Sequence, residues 1–265
     1  MLSFASFLPH PPVIIPSVGS EKDRKITEKT IVAMEKIATD FQSKEIDTVV
    51  IVSPHSQLDY GRITLNISPV LNGNFNLFGD FKTLFSFKND IKVLKQITEE
   101  LEKEKFPFRL LNDNFLDHGV LVPLFFLMKN KKTLPKIVII GYSYLDNKTH
   151  FEFGKILKKV FKETDKKISF IASGDLSHCS TENAPCEYSP KGKIFDEKIV
   201  SLVKEKKIEE IINLEKNLVE NACECGFKSL LILLGVINDE KWKPEIISYE
   251  APFGVGYLVL NIKLN

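Results

Sequence analysis

Five histidines are spread along the 265 residues, and the settings of four of them point to chemistry. His10 lies in Phe7-Leu8-Pro9-His10-Pro11-Pro12, where the apolar run Leu2 to Leu8 stops. Prolines fix φ and remove amide donors, so neither strand nor helix continues there and the imidazole is held on stiff backbone. The pattern recurs at His55, where the run from Thr48 ends in Val52-Ser53-Pro54-His55. His178 follows a glycine break in Ser173-Gly174-Asp175-Leu176-Ser177-His178, and His118 sits in Asp117-His118-Gly119. A histidine fixed at an element boundary suits a metal ligand or a proton carrier. Any one of them alone is ordinarily a packing residue. Their recurrence at strand ends is what packing does not ask for, and the chain is expected to bring these ends together around His10. His150, in Lys148-Thr149-His150-Phe151, lacks such a setting and is read as structural.

Two neutral imidazoles and one carboxylate on one face of an ion leave open positions, the arrangement of non-haem Fe(II) oxygenases. Glu224, in Asn221-Ala222-Cys223-Glu224-Cys225-Gly226, is the expected carboxylate, because it precedes the apolar run Phe227, Leu230, Leu231, Leu233 and Leu234. An acidic residue at a helix start is explained equally well by the helix dipole. The cysteines flanking Glu224 offer zinc chemistry instead, although no second Cys or His pair stands near them. Asp113 and Asp117 read either as carboxylates that orient ligands or as caps of the helix that follows.

The elements that must position these residues alternate in type. Glu21 to Ser43 carries a helical stripe (Ile26, Ile31, Met34, Ile37, Phe41), and Thr48 to Val52 is a buried-strand run. Arg62 to Ser68 alternates as a half-buried strand does. Pro69 to Asn89 is rich in Phe, Asn and Gly without helical period, either an insertion with a short strand or part of a substrate wall. Helices are expected over Asp90 to Lys105, Asp117 to Met128, Phe151 to Thr164, Lys191 to Glu205, Ile208 to Leu214 and Glu224 to Ile237. Strands are expected over Phe106 to Leu111, Lys136 to Gly141, Ile168 to Ser173, Ile246 to Tyr249 and Gly254 to Lys263. This alternation predicts an α/β fold, a single layered domain over residues 1–265 with a central mixed β-sheet flanked by helices.

A hydrophobic fraction of 43% and a charged fraction of 27% describe a globular chain able to bury a core. The net charge of +1 gives no support to nucleic acid or an anionic membrane as partner. No run approaches the roughly 20 apolar residues of a membrane span, and the N-terminus lacks the basic start of a signal peptide, so a cytoplasmic protein is expected. Cys179, Cys186, Cys223 and Cys225 fall late in the chain, and reduced thiols are the expectation.

Read together, Phe7 to Pro12 (FLPHPP), Val52 to His55 (VSPH), Asp117 to Gly119 (DHG), Gly174 to His178 (GDLSH), Glu224 to Gly226 (ECG) and the segment Tyr249-Glu250-Ala251-Pro252-Phe253-Gly254-Val255-Gly256-Tyr257 resemble the class III extradiol dioxygenase catalytic subunits of LigB type. The likeness runs nearly the whole chain, is closest to the branch of the AmmeMemoRadiSam system, and extends to the Memo proteins. It implies His10 and His55 as metal ligands with Glu224 as the third, His178 as the acid/base histidine and His118 as a second pocket histidine. In Memo a cysteine before a glycine occupies the third-ligand place, and Cys225-Gly226 fits that pattern as well. The resemblance implies Fe(II) as cofactor, with zinc or copper as alternatives. It also implies a small aromatic substrate (a catechol or aminophenol-like ring) with O2. It leaves room for a homo-oligomer and for association with radical SAM and AMMECR-type proteins; the fused C-terminal AMMECR-type domain of many relatives is not expected here. A Memo-like metal or redox protein that opens no ring, and a binding module without catalysis, are the other readings it implies.

Overall fold

The computed structural model describes residues 1–264, Asn265 lying outside the described residues. The chain starts as strand β1 (Leu2–Leu8), crosses helices α1 (Glu21–Ile26) and α2 (Glu28–Gln42), and returns as β2 (Thr48–Ser53). After β3 (Ile63–Asn66) it forms a hairpin of β4 (Val70–Phe75) and β5 (Asp80–Lys88), then α3 (Ile91–Lys103), β6 (Phe108–Leu111), α4 (His118–Leu127) and β7 (Lys136–Gly141). Helix α5 (Asn147–Glu163) leads to β8 (Ile168–Ser173). Four helices follow, α6 (Pro190–Lys204), α7 (Ile208–Ile212), α8 (Lys216–Glu220) and α9 (Phe227–Val236), before β9 (Trp242–Glu250) and β10 (Tyr257–Leu264) close the fold.

Eight strands form one mixed sheet in the order β6-β3-β7-β2-β8-β1-β10-β9. Its centre is parallel: β7 pairs with β2, β2 with β8 and β8 with β1, so four carboxyl ends lie side by side on one edge. β2 and β8 are buried at every residue, as strands covered on both faces must be. Alternation divides their side chains between two cores. Val50, Val52, Phe170 and Ala172 face the helices α3, α5, α6 and α9, while Val49, Ile51 and Ile171 face α2 and α4. The structure is therefore an α/β fold with a mixed eight-stranded sheet between two helical layers. Among the described residues, no helix is long and apolar enough to cross a membrane.

Three departures from the sequence expectations have local causes. The helix expected over Glu21 to Ser43 is two helices. Ser20 and Asp23 form a capping box for α1, and Thr27 Oγ1 donates back to the Asp23 carbonyl at 2.9 Å where that short helix stops. The segment Pro69 to Asn89 is the β4–β5 hairpin, with Leu71, Phe75 and Phe87 buried in the α4-side core. The four cysteines are not all reduced, because Cys186 and Cys223 are joined as a disulfide, leaving Cys179 and Cys225 free. Their sequence positions could not show this pairing. The His178 amide donates to the Ala222 carbonyl (3.1 Å) and the Cys186 amide to the His178 carbonyl (3.0 Å). These bonds bring the two loops together and place the cysteine Cα atoms 6.7 Å apart, within reach of a bridge.

Candidate metal centre

Three of the four parallel strand ends supply a chemically active residue at the same offset. His10, His55 and Asp175 each stand two residues beyond the last residue of β1, β2 and β8. This is the edge at which α/β sheets collect ligands. The N-terminus of α4 points at the same place with His118, and the loop before α9 adds Cys225. Two glycine contacts let these parts approach. A Cβ on Gly119 would strike the Ser53 hydroxyl, and one on Gly174 would strike the Cα of Gly226, so the loop carrying Asp175 and the loop carrying Cys225 lie backbone on backbone.

The donor atoms converge on His10, which is 2% exposed. Its Nε2 is 3.1 Å from His55 Nε2 and 3.6 Å from Cys225 Sγ. Asp175 Oδ2 is 3.8 Å from the same nitrogen, and Asp175 Oδ1 accepts the His10 backbone N–H at 2.9 Å. The His118 ring stacks on His55 with centroids 4.2 Å apart. Two sets of donors therefore share His10: His10, His55 and His118, and His10, Asp175 and Cys225, each within 4.8 Å mutually.

Burial, with His55, His118 and His178 facing it, holds His10 well below its ordinary pKa. Burial also lowers His55 against the pull of Asp117, brings His118 down to about 4, and lowers His178. The rings are thus neutral imidazoles near neutral pH, the form that ligates metals. Burial raises Asp175 to about 7 and raises the Cys225 thiol well above its ordinary range; a cation among them reverses both directions.

These residues fit a metal ion. Two ring nitrogens bound to one ion at about 2.0–2.1 Å lie about 2.9–3.4 Å apart, depending on the coordination angle, and the observed separation of 3.1 Å falls in that interval. The Asp175 amide donates to Cys225 Sγ at 3.3 Å, which favours a thiolate.

Glu224 does not join the cluster. Its carboxylate accepts the Phe227 N–H at 2.5 Å, and burial raises its pKa to about 7 against that bond. Helix α9 starts at Phe227, three residues later than expected, so Glu224 turns back to the helix start while Cys225 points inward. His178 approaches from the side. Its Nε2 is 3.9 Å from Asp175 Oδ2, and its buried Nδ1 has no partner among the described residues.

Asp117 caps α4 by accepting the Val120 N–H (3.2 Å), and also accepts from the hydroxyls of Ser53 (2.7 Å) and Ser56 (2.9 Å). Ser53 Oγ in turn accepts the His55 N–H at 3.2 Å, so the cap also orients a candidate ligand. Asp113 accepts from Gln57 Nε2 and the Phe115 amide. His150 is buried and bonded to the Asp146 carbonyl and the Ser143 amide. Asp175 was not singled out from the sequence, although its place two residues past a strand end, matching His10 and His55, was the signal available. A cleft of about 80 Å³ opens beside His55, with Gln57, Thr64, Asn66, Asp113 and Phe115 in its walls. Phe78 of the hairpin turn meets the His118 ring at 5.4 Å between centroids.

Residues 4–260 match the family described as the catalytic LigB subunit of aromatic ring-opening dioxygenase. Protein CA_C1420 of Clostridium acetobutylicum is 36% identical over 97% of this chain and 56% of its own length, so the chain spans little more than half of that relative. A MEMO1 family protein of Methanococcus maripaludis is 25% identical over 72% of this chain and 68% of its own. Among solved structures, an uncharacterized protein from Escherichia coli superposes with a TM-score of 0.70 at 18% identity, covering 98% of this chain and 99% of that one, a likeness of fold.

Proposed function

The chain belongs to the family of the catalytic LigB subunit of aromatic ring-opening dioxygenases, and from that premise we propose that it is a Memo-like metal-binding redox protein whose ion is held by His10, the donor common to both sets, with His55 from one set and Cys225 from the other. The observation that carries this reading is the position of Cys225 Sγ, 3.6 Å from His10 Nε2, while the neighbouring Glu224 carboxylate is engaged by the Phe227 amide. Two imidazoles and a thiolate form a softer donor set than two imidazoles and a carboxylate, suited to copper or zinc as well as iron. When bound, copper or iron supplies one-electron chemistry and zinc supplies Lewis acidity. The protein's own residues do the rest. The Asp175 amide steadies the sulfur, and the Asp175 carboxylate holds the His10 amide through Oδ1 while its Oδ2 stands between His10 and His178.

The test is the metal content of the purified chain and of two variants. Cys225→Ala should lose the metal and Glu224→Gln should keep it. The opposite result restores the carboxylate set expected from the sequence.

A second reading, Fe(II)-dependent opening of a catechol- or aminophenol-like ring with O2, is favoured by the cleft beside His55 and the Phe78 ring against His118. His178 then serves as the acid/base group. Anaerobic reconstitution with Fe(II), followed by a catechol panel in air, decides between the two: a ring-opened product supports this reading, and its absence across the panel supports the first.

A further inference from the structure

Helix α4 contains Pro123. In an α-helix the amide of residue 123 would bond to the carbonyl of residue 119, and proline has no N–H, so the Gly119 carbonyl is left without its helical donor. The donor it has comes from another layer: Ser173 Oγ, at the end of β8, donates to it at 2.5 Å. Ser173 is fully buried, and its other partner is His10 Nδ1 at 2.9 Å.

A serine hydroxyl has one proton to give. A carbonyl can only accept, so that proton is committed to Gly119. Ser173 Oγ must then accept from His10 Nδ1, which fixes the proton of the imidazole on Nδ1 and leaves Nε2 as a bare lone pair. That lone pair faces His55 Nε2 and Cys225 Sγ. Ser173 belongs to the strand between β1 and β2, in register with Leu8, so the relay is anchored beside the strand that carries His10.

We propose that Ser173, with its proton committed to the carbonyl that Pro123 frees, is the positioning residue that selects the ligating tautomer of His10. The value of that tautomer rests on the metal-centre reading above; the tautomer itself does not. Without the relay, His10 is free to carry its proton on Nε2, where it blocks coordination, and partners of this kind are typically worth about 10- to 100-fold in metal affinity.

The first readout is the ¹⁵N spectrum of histidine-labelled, metal-free wild-type protein. His10 is expected as the Nδ1–H tautomer; finding it as Nε2–H overturns the proposal whether or not any variant folds. The second is Zn(II) affinity by chelator competition. Ser173→Ala should bind about 10- to 100-fold more weakly at unchanged stoichiometry, and Ser173→Thr, which retains the hydroxyl, should recover most of the loss. Equal affinity in wild type and Ser173→Ala overturns the proposal. A wild type that binds no metal, with His10 still in the Nδ1–H form, sinks the metal-centre reading and leaves the tautomer assignment standing.

Discussion

Asp175 Oδ1 accepts the backbone N–H of His10 at 2.9 Å, so the loop after β8 holds the loop after β1 through a carboxylate that is itself buried. Removing the acceptor leaves an amide orphaned inside the protein. Asp175→Ala should cost roughly 1–3 kcal/mol of stability, while Asp175→Asn, which keeps an oxygen in place, should cost less. Urea denaturation of the three proteins checks the order, and equal losses in both variants would be incompatible with this bond.

His10 and His55 are expected to bind one divalent ion per chain. The double alanine variant should emerge from metal loading with its stoichiometry abolished. Full occupancy in that variant would remove both histidines from the centre.

His178 stands at the edge of the donor set, with Asp175 between it and His10. His178→Ala should retain the metal. If the catechol panel yields a substrate, turnover should fall about 10²- to 10⁴-fold, the usual contribution of a positioned acid/base group. An unchanged rate would exclude it from the reaction.

The disulfide joins residues 37 apart in sequence. In the chain-entropy treatment a closed loop of this size is worth roughly 4 kcal/mol. A Cys186→Ser, Cys223→Ser double variant should lose stability by up to that amount, and reduction of the wild type by dithiothreitol should lower its melting temperature in the same direction. A variant as stable as the oxidised wild type would show that the bridge does not constrain the unfolded chain.

Asp80 opens β5 and accepts from the Ser17 hydroxyl (2.5 Å) and from the amides of Lys82 (2.9 Å) and Thr83 (3.1 Å), tying the hairpin to the segment after His10. The Ser17 hydrogen bond foremost lowers its pKa. A carboxylate whose folded pKa lies below its unfolded value contributes stability that is present above the unfolded pKa, about 3.9, and lost as the pH falls through the folded value. Asp80→Asn should therefore be less stable than wild type at pH 7, by roughly 1–3 kcal/mol. The gap should hold down to about pH 4 and narrow progressively below it. Melting curves from pH 7 down to 3 test this, and a gap independent of pH would contradict it.

The sheet and the histidine cluster were legible because both depend on short-range patterns. The runs Leu2–Leu8, Lys136–Gly141 and Ile168–Ser173 are strands with the expected bounds, and proline or glycine breaks marked where His10, His55 and the Asp175–His178 loop begin. Which of Glu224 and Cys225 turns towards His10 was not legible. Neighbouring residues differ only in direction, and that direction depends on where the first turn of α9 starts, which the Phe227 amide decides by recruiting the Glu224 carboxylate. The disulfide and the Ser173 relay were hidden for a related reason: each joins residues whose contact exists only after the layers have packed.

Because β1, β8 and β2 are consecutive neighbours, the width of the centre follows from the pairing of the strands that lead into its loops. Hydrogen-bonded strands lie about 4.8 Å apart, so the chains bearing His10 and His55 are separated by about two such intervals, nearly 10 Å. Two imidazoles span that gap from opposite sides, whereas a shorter side chain in either place stops short of the middle. The pleated sheet thus acts as a ruler: the reach of a side chain, as much as its affinity for metal, limits what can replace a histidine here, and a His55→Asp exchange should fail on length before it fails on chemistry.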